Sequence, residues 1–161
     1  MQFFNTIPRW ISTLVCVVNG DNLYAVADAP RPPELSLTVV VLSDSVGKAE
    51  AIRRGLLAIE SIDAIDWVAQ ADGRGKQALS ELYRLRDEML LQNADLTIAN
   101  RYGKQNLKRQ RHRQAIGRFF REIIESVYGL RLTDYFCGTR LYTREMSRHF
   151  ISGQSFGYGL E

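Results

Sequence analysis

Short apolar runs rich in β-branched residues alternate along the chain with longer segments of helical periodicity. An apolar run of four to eight residues between polar turn signals is typical of a buried strand, because a strand crosses a small core in few residues. The predicted strands are Ser12–Val18, Leu37–Leu42, Ile65–Ala69, Asp95–Ala99 and Thr139–Tyr142.

The segments between these strands repeat apolar residues every three or four positions, which places those residues on one face of a helix. Helices are predicted from about Lys48 to Ile59, Gln77 to Leu91 and Gln114 to Tyr128. Their apolar faces are, in chain order, Ile52, Leu56 and Ile59; Leu79, Leu82, Tyr83, Met89 and Leu90; and Ile116, Phe119, Phe120, Ile123, Ile124 and Val127. Gly129 follows the last helix and is well placed to end it. Strands that alternate with helices predict an α/β fold with a mostly parallel sheet flanked by helices.

The size of the chain, 161 residues, fits a single domain, 1–161, with a core of its own. Cys16 and Cys137 form no CxxC pair, so neither a zinc site nor a disulfide framework is expected. The apolar run Ile11–Val18 is shorter than a membrane span, and the first ten residues lack the pattern of a signal peptide. These features predict a cytoplasmic protein.

Ligands of such sheets bind beyond the carboxyl ends of the strands, where Asp72 and Lys48 are expected. The Asp72 carboxylate can ligate Mg²⁺ or Mn²⁺, although an Asp-Gly pair is more often a plain turn. Lys48 follows Gly47 at a predicted helix start, whose backbone N–H groups can meet an anion. A helix start with a solvated basic face is the alternative.

The segment Arg101–Arg121 contains eight Lys or Arg residues and no acid. Such a block can hold the phosphates of a nucleotide sugar or lipid, a membrane surface or nucleic acid, and a solvated loop is the alternative. Aromatic residues are scarce in it, which argues against a surface for stacking bases. Asp134, between a helix end and a strand, can act as a general base or, more commonly, cap a turn.

Five segments, taken together and in this order, resemble the motifs of family-2 glycosyltransferases with the GT-A fold. The resemblance is strongest to the enzymes that glycosylate polyprenyl or dolichyl phosphate, and it covers residues 37–161. The segments are Gly47–Gly55 (GKAEAIRRG), Asp66–Gly73 (DWVAQADG), Ala94–Arg101 (ADLTIANR), Thr133–Tyr142 (TDYFCGTRLY) and Phe156–Glu161 (FGYGLE).

The resemblance implies a Rossmann-like GT-A domain that transfers a sugar, with inversion, from a UDP- or GDP-linked donor to a polyprenyl phosphate or related acceptor. It implies that Asp72 binds Mg²⁺ or Mn²⁺ and that Asp134 lies near the acceptor as the catalytic candidate. A membrane-bound acceptor would place the protein peripherally at the inner membrane face, and no nucleic acid partner is expected. The residues implied to contact the donor and its metal are Lys48, Gln70, Asp72, Arg101 and Arg113.

Two departures from the family pattern leave other functions open. Gln70 stands where the family has the first Asp of its Asp-x-Asp motif, and an amide is a poorer metal ligand than a carboxylate. Residues 1–36 diverge and hold one predicted strand, so we expect the fold to be incomplete at its N-terminal end. The alternatives are a catalytically degenerate binding or regulatory module and a basic α/β domain that binds nucleic acid.

Overall fold

The computed structural model describes residues 7–19, 31–44, 46–72, 79–100, 119, 121–127, 129, 134–135 and 137–152. Residues 121–127 are helical. The other elements are β1 (Thr13–Asn19), β2 (Ser36–Leu42), α1 (Lys48–Glu60), β3 (Trp67–Gln70), α2 (Glu81–Gln92), β4 (Leu96–Ile98), β5 (Arg140–Thr143) and α3 (Arg144–Ser152).

The first sheet consists of β1 and β2, which run parallel in a register from Thr13 opposite Ser36 to Asn19 opposite Leu42. Valine is frequent in both strands, and a β-branched side chain is well accommodated on a pleated surface. Both strands were predicted from the sequence to within one residue at each end, and that prediction is confirmed.

The second sheet has the order β3-β5-β4, and both outer strands pair antiparallel with β5. The prediction of a mostly parallel sheet is therefore wrong for this part of the chain, whereas the mixed α/β class is confirmed. The central strand buries side chains on both faces, since Leu141 and Tyr142 are 0% and 1% exposed. Leu141 is covered by residues of one helix and Tyr142 by residues of another, on the opposite face. Strand periodicity alone does not specify the direction of pairing.

Helix α1 packs against both sheets. Leu56 forms a buried cluster with Val68 of β3 and Tyr142 of β5, and the predicted core residues Ile52 and Ile59 lie against it. On the first sheet, a Cβ added to Gly55 would lie only 2.8 Å from Val17 Cγ2. The missing side chain of Gly55 therefore lets α1 approach β1 closely.

Helix α2 covers the opposite face of the second sheet. Leu82, Leu85 and Met89 are buried there with Leu141. The predicted start at Gln77 lies outside the described residues, and the helix begins at Glu81. The sequence prediction also placed Tyr83 and Leu90 on the apolar side, but they are 40% and 58% exposed because each lies one position beyond the buried stripe.

Helix α3 follows β5 directly and was not predicted. The Thr143 hydroxyl accepts a hydrogen bond from the Met146 N–H at 3.2 Å, and Phe150 packs on Tyr142. The Arg144 guanidinium, at the start of α3, donates to the carbonyl of Glu60, the last residue of α1, at 3.2 Å. The C-terminal end of α1 therefore lies beside the start of α3.

The helix predicted from Gln114 to Tyr128 is confirmed for residues 121–127. Gly129 has a φ of +67° and its N–H donates to the Glu125 carbonyl at 3.0 Å, as expected for a glycine that ends a helix. Phe119 and Val127, which the spacing of apolar residues places on one face of this helix, are more than half exposed. Among the described residues, no helix is both long and apolar enough to cross a membrane.

Candidate functional site

The carboxyl ends of β3 and β4 and the start of β5 lie at one edge of the second sheet. Arg140, the first residue of β5, is paired with Gln70 on one side and Ile98 on the other. Just beyond this row, the Ala99 N–H donates to the Thr139 carbonyl at 3.0 Å. The polar residues that follow β3 and β4 and those that precede β5 therefore share this edge, hereafter the polar edge.

Lys48 reaches the polar edge from the start of α1. A Cβ added to Gly138, two residues before β5, would lie 3.5 Å from the Lys48 Nζ. Gly47 caps this helix start in an extended conformation and provides no side-chain hydrogen bond to it. Lys48 thus brings a positive charge near Gly138, and α1, with the positive end of its dipole, begins at the same residue. Both features favour an anion.

Asp72 lies two residues beyond the end of β3, and its side chain is exposed to solvent. In the described part of the chain, no group of three or more His, Cys, Asp or Glu side chains is placed to hold a metal ion. Mg²⁺ is commonly held by one or two carboxylates together with the phosphates of a ligand. The exposed carboxylate of Asp72 is of the type that can serve as such a ligand.

Gln70 is held by a buried tyrosine of the neighbouring strand. The Tyr142 hydroxyl donates to the Gln70 Oε1 at 3.3 Å. Tyr142 is 1% exposed, and its burial raises the pKa of the hydroxyl well above the usual value, which the positive charge of Arg140 opposes only in part. The hydroxyl therefore stays protonated and acts as a permanent donor to Gln70.

Arg140 organises the segment that leads into β5. Its side chain is 3% exposed, and it donates to the Cys137 carbonyl at 2.9 Å and to the Tyr135 carbonyl at 3.0 Å. A guanidinium can satisfy two carbonyls at once because its donors form a rigid planar fork. Asp134, the predicted catalytic residue, lies in the same segment and is 5% exposed, so little of its carboxylate faces solvent.

Of the residues predicted for the site, Gln70 pairs with Arg140 at the start of β5, and the Lys48 ammonium lies near Gly138. Asp134 belongs to the segment that leads into β5, and Asp72 follows Gln70 by two residues. Arg101 and Arg113 lie outside the described residues.

Arg140 and Tyr142 were given no role in the predicted site, although both belong to the segment Thr133–Tyr142 that carries one of the motifs. An arginine and a tyrosine inside an apolar strand were the signal, since buried polar side chains need partners.

Comparisons of the chain with protein-family models, with curated proteins and with solved structures found no match. The polar edge combines an ammonium group at a helix start, an exposed carboxylate, and an amide held from behind by a buried hydroxyl. These groups can bind a phosphorylated ligand together with a divalent cation.

Proposed function

We propose that the chain is a glycosyltransferase of the family-2 type whose polar edge binds the diphosphate of a UDP- or GDP-linked sugar. The observation that carries the proposal is the Lys48 ammonium beside Gly138 at the start of α1. A cation at a helix N-terminus favours a phosphate ligand, and the exposed Asp72 carboxylate suits Mg²⁺ or Mn²⁺ carried by that ligand. The finer fold assignment, a Rossmann-like GT-A domain, belongs to the same proposal and is supported by the common direction of β3 and β4.

The acceptor in this proposal is a polyprenyl phosphate at the inner face of a membrane. A phosphate oxygen is already negatively charged at neutral pH, so its attack on the sugar needs no strong base. The burial of Asp134 then favours a role in shaping the acceptor side over proton transfer. The divalent cation would offset the charge that develops on the leaving nucleoside diphosphate, and Arg101 and Arg113 would add positive charge on the phosphate side.

Calorimetric titration with UDP and GDP, each with and without Mn²⁺, tests the proposal. We expect Mn²⁺ to tighten binding in the wild type and to have little effect in Asp72→Asn. Asp63→Asn is the matched control, because Asp63 is also exposed but lies between α1 and β3, at the other end of that strand. Equal enhancement by Mn²⁺ in the wild type and in Asp72→Asn would refute the role of Asp72.

A second candidate function, a binding module without turnover, is favoured by Gln70. Its amide oxygen accepts the hydrogen bond from Tyr142. Family-2 glycosyltransferases have an Asp at this position of their motif, and an amide cannot supply the negative charge of that Asp. The purified chain would then bind nucleotide sugars without releasing UDP or GDP from them. Release above the uncatalysed rate in the presence of polyprenyl phosphate and Mn²⁺ would exclude this candidate.

The nucleic acid interpretation depends on the basic segment 101–121, of which the structure describes residues 119 and 121. It predicts RNA or DNA binding that weakens steeply with salt. Absence of binding at low salt would leave the two nucleotide-sugar functions.

A further inference from the structure

The buried hydroxyl of Tyr142 determines which way the Gln70 amide is turned. A buried O–H group that lacks an acceptor is destabilising, so its proton must be directed at an oxygen. In the part of the chain that the structure describes, the acceptor is the Gln70 Oε1 at 3.3 Å. Rotation of the amide by a half turn would place an NH₂ group opposite the hydroxyl proton and leave that proton unsatisfied.

The amide nitrogen of Gln70 is the atom left to meet a ligand. With the oxygen turned to Tyr142, the NH₂ group takes the other direction, and it donates no hydrogen bond to the described residues. Gln70 is half-buried and is the last residue of β3, two positions before the exposed Asp72. An unused donor is thus present at the polar edge where a metal-binding motif would have a second carboxylate oxygen.

We propose that Gln70 donates a hydrogen bond to a phosphate oxygen of the nucleoside diphosphate and is not a metal ligand, with Tyr142 as its positioning residue. This inference rests on the proposed function and divides the diphosphate site into two parts. Asp72 supplies the part of the affinity that requires a divalent cation, and Gln70 supplies a part that does not. The wild type therefore binds UDP or GDP without any divalent cation, and Mn²⁺ adds to that binding.

Replacement of Gln70 by glutamate exchanges the amide NH₂ group, a hydrogen-bond donor, for a negatively charged oxygen, an acceptor, and leaves the shape of the side chain nearly unchanged. A glutamate can accept the Tyr142 hydrogen bond with one carboxylate oxygen and present the other, negatively charged, where the amide donated. That oxygen repels a diphosphate in the absence of a cation and ligates a cation when one is present. Gln70→Met removes the donor without adding charge and separates loss of the hydrogen bond from electrostatic repulsion.

The experiment measures the dissociation constants of UDP and GDP in EDTA and in Mn²⁺. We expect Gln70→Glu to bind roughly tenfold or more weakly than the wild type in EDTA and to recover in Mn²⁺, since a hydrogen bond to a charged group has about that effect. Gln70→Met should lose affinity in both conditions without the recovery. Tyr142→Phe should weaken binding in EDTA to a smaller extent, because the amide is then free to rotate.

Gln92→Glu is the control for adding a carboxylate, since Gln92 is exposed at the end of α2, and it should behave as the wild type. Unchanged binding of Gln70→Glu in EDTA would overturn the inference while leaving the role of Asp72 intact. Equal losses of Gln70→Glu in EDTA and in Mn²⁺ would also overturn it, because they would indicate damage to the site and not a change of ligand. Absence of nucleotide binding by the wild type would overturn both proposals.

Discussion

Replacement of Gly55 by alanine tests how closely α1 approaches β1. The added Cβ would lie 2.8 Å from Val17 Cγ2, which is closer than two carbon atoms can stay without a shift. Valine is branched at Cβ and stiff about χ1, so it cannot simply rotate away within a strand. The helix or the strand must move.

Two opposing terms set the size of the effect. Alanine is favoured over glycine inside a helix by about 1 kcal/mol, whereas crowding a packed site costs roughly 1–3 kcal/mol. We therefore expect Gly55→Ala to lower the free energy of unfolding by about 1 kcal/mol. In a Val17→Ala background the crowding methyl group is absent, and the same substitution should raise stability by roughly 0.5–1 kcal/mol.

Urea unfolding of the four proteins of this cycle, followed by circular dichroism, measures the coupling between the two positions. Ala58→Gly in the same helix gives an independent value for the free-energy difference between alanine and glycine inside a helix. We predict that Gly55→Ala destabilises the protein when Val17 is present and stabilises it when Val17 is replaced by alanine. If Gly55→Ala changed the free energy of unfolding equally in both backgrounds, or stabilised the protein that retains Val17, α1 would not contact β1 at this distance.

Two further predictions concern charged side chains. Hydrogen bonds from Arg53 and Arg54 lower the pKa of Glu50 from 4.5 to about 2, so its contribution to stability should be complete above pH 4.5 and lost as the pH falls towards 2. Urea midpoints of wild type and Glu50→Gln, compared between pH 7 and pH 2, should converge at the acid end, and a constant difference would contradict this. Arg140→Met removes the hydrogen bonds that Arg140 donates to the Cys137 and Tyr135 carbonyls and should lower the free energy of unfolding by about 2 kcal/mol in the same assay. A variant as stable as the wild type would show that these bonds contribute nothing net.

The strands and α1 were predictable because their signals are local. A run such as Leu37–Leu42 carries its β-branched residues in consecutive positions, and the apolar residues of α1 recur within one turn. The direction of β5 is not a local property, since it depends on which strands lie beside it. Helix α3 was missed because it is short and polar, with Arg144, Arg148 and His149 among its nine residues.

The candidate site was predictable only to the extent that it follows element ends. Lys48 begins a helix and Asp72 follows a strand, so the sequence placed both near a ligand edge. The contact between Gln70 and Tyr142 spans 72 positions in the chain, and no periodicity reveals it. That contact decides whether position 70 presents an oxygen or a nitrogen, which is why the sequence left the metal chemistry of the site open.

The most direct test of the proposed diphosphate site is the affinity of Lys48→Met for UDP and GDP, measured by calorimetry in EDTA. Arg84→Met is the control, because Arg84 is an exposed cation on α2 in an ion pair with Glu81. We predict that Lys48→Met binds roughly tenfold or more weakly than the wild type, and that Arg84→Met binds as the wild type does. Equal affinity of Lys48→Met and wild type would contradict the assignment of the polar edge as a phosphate site.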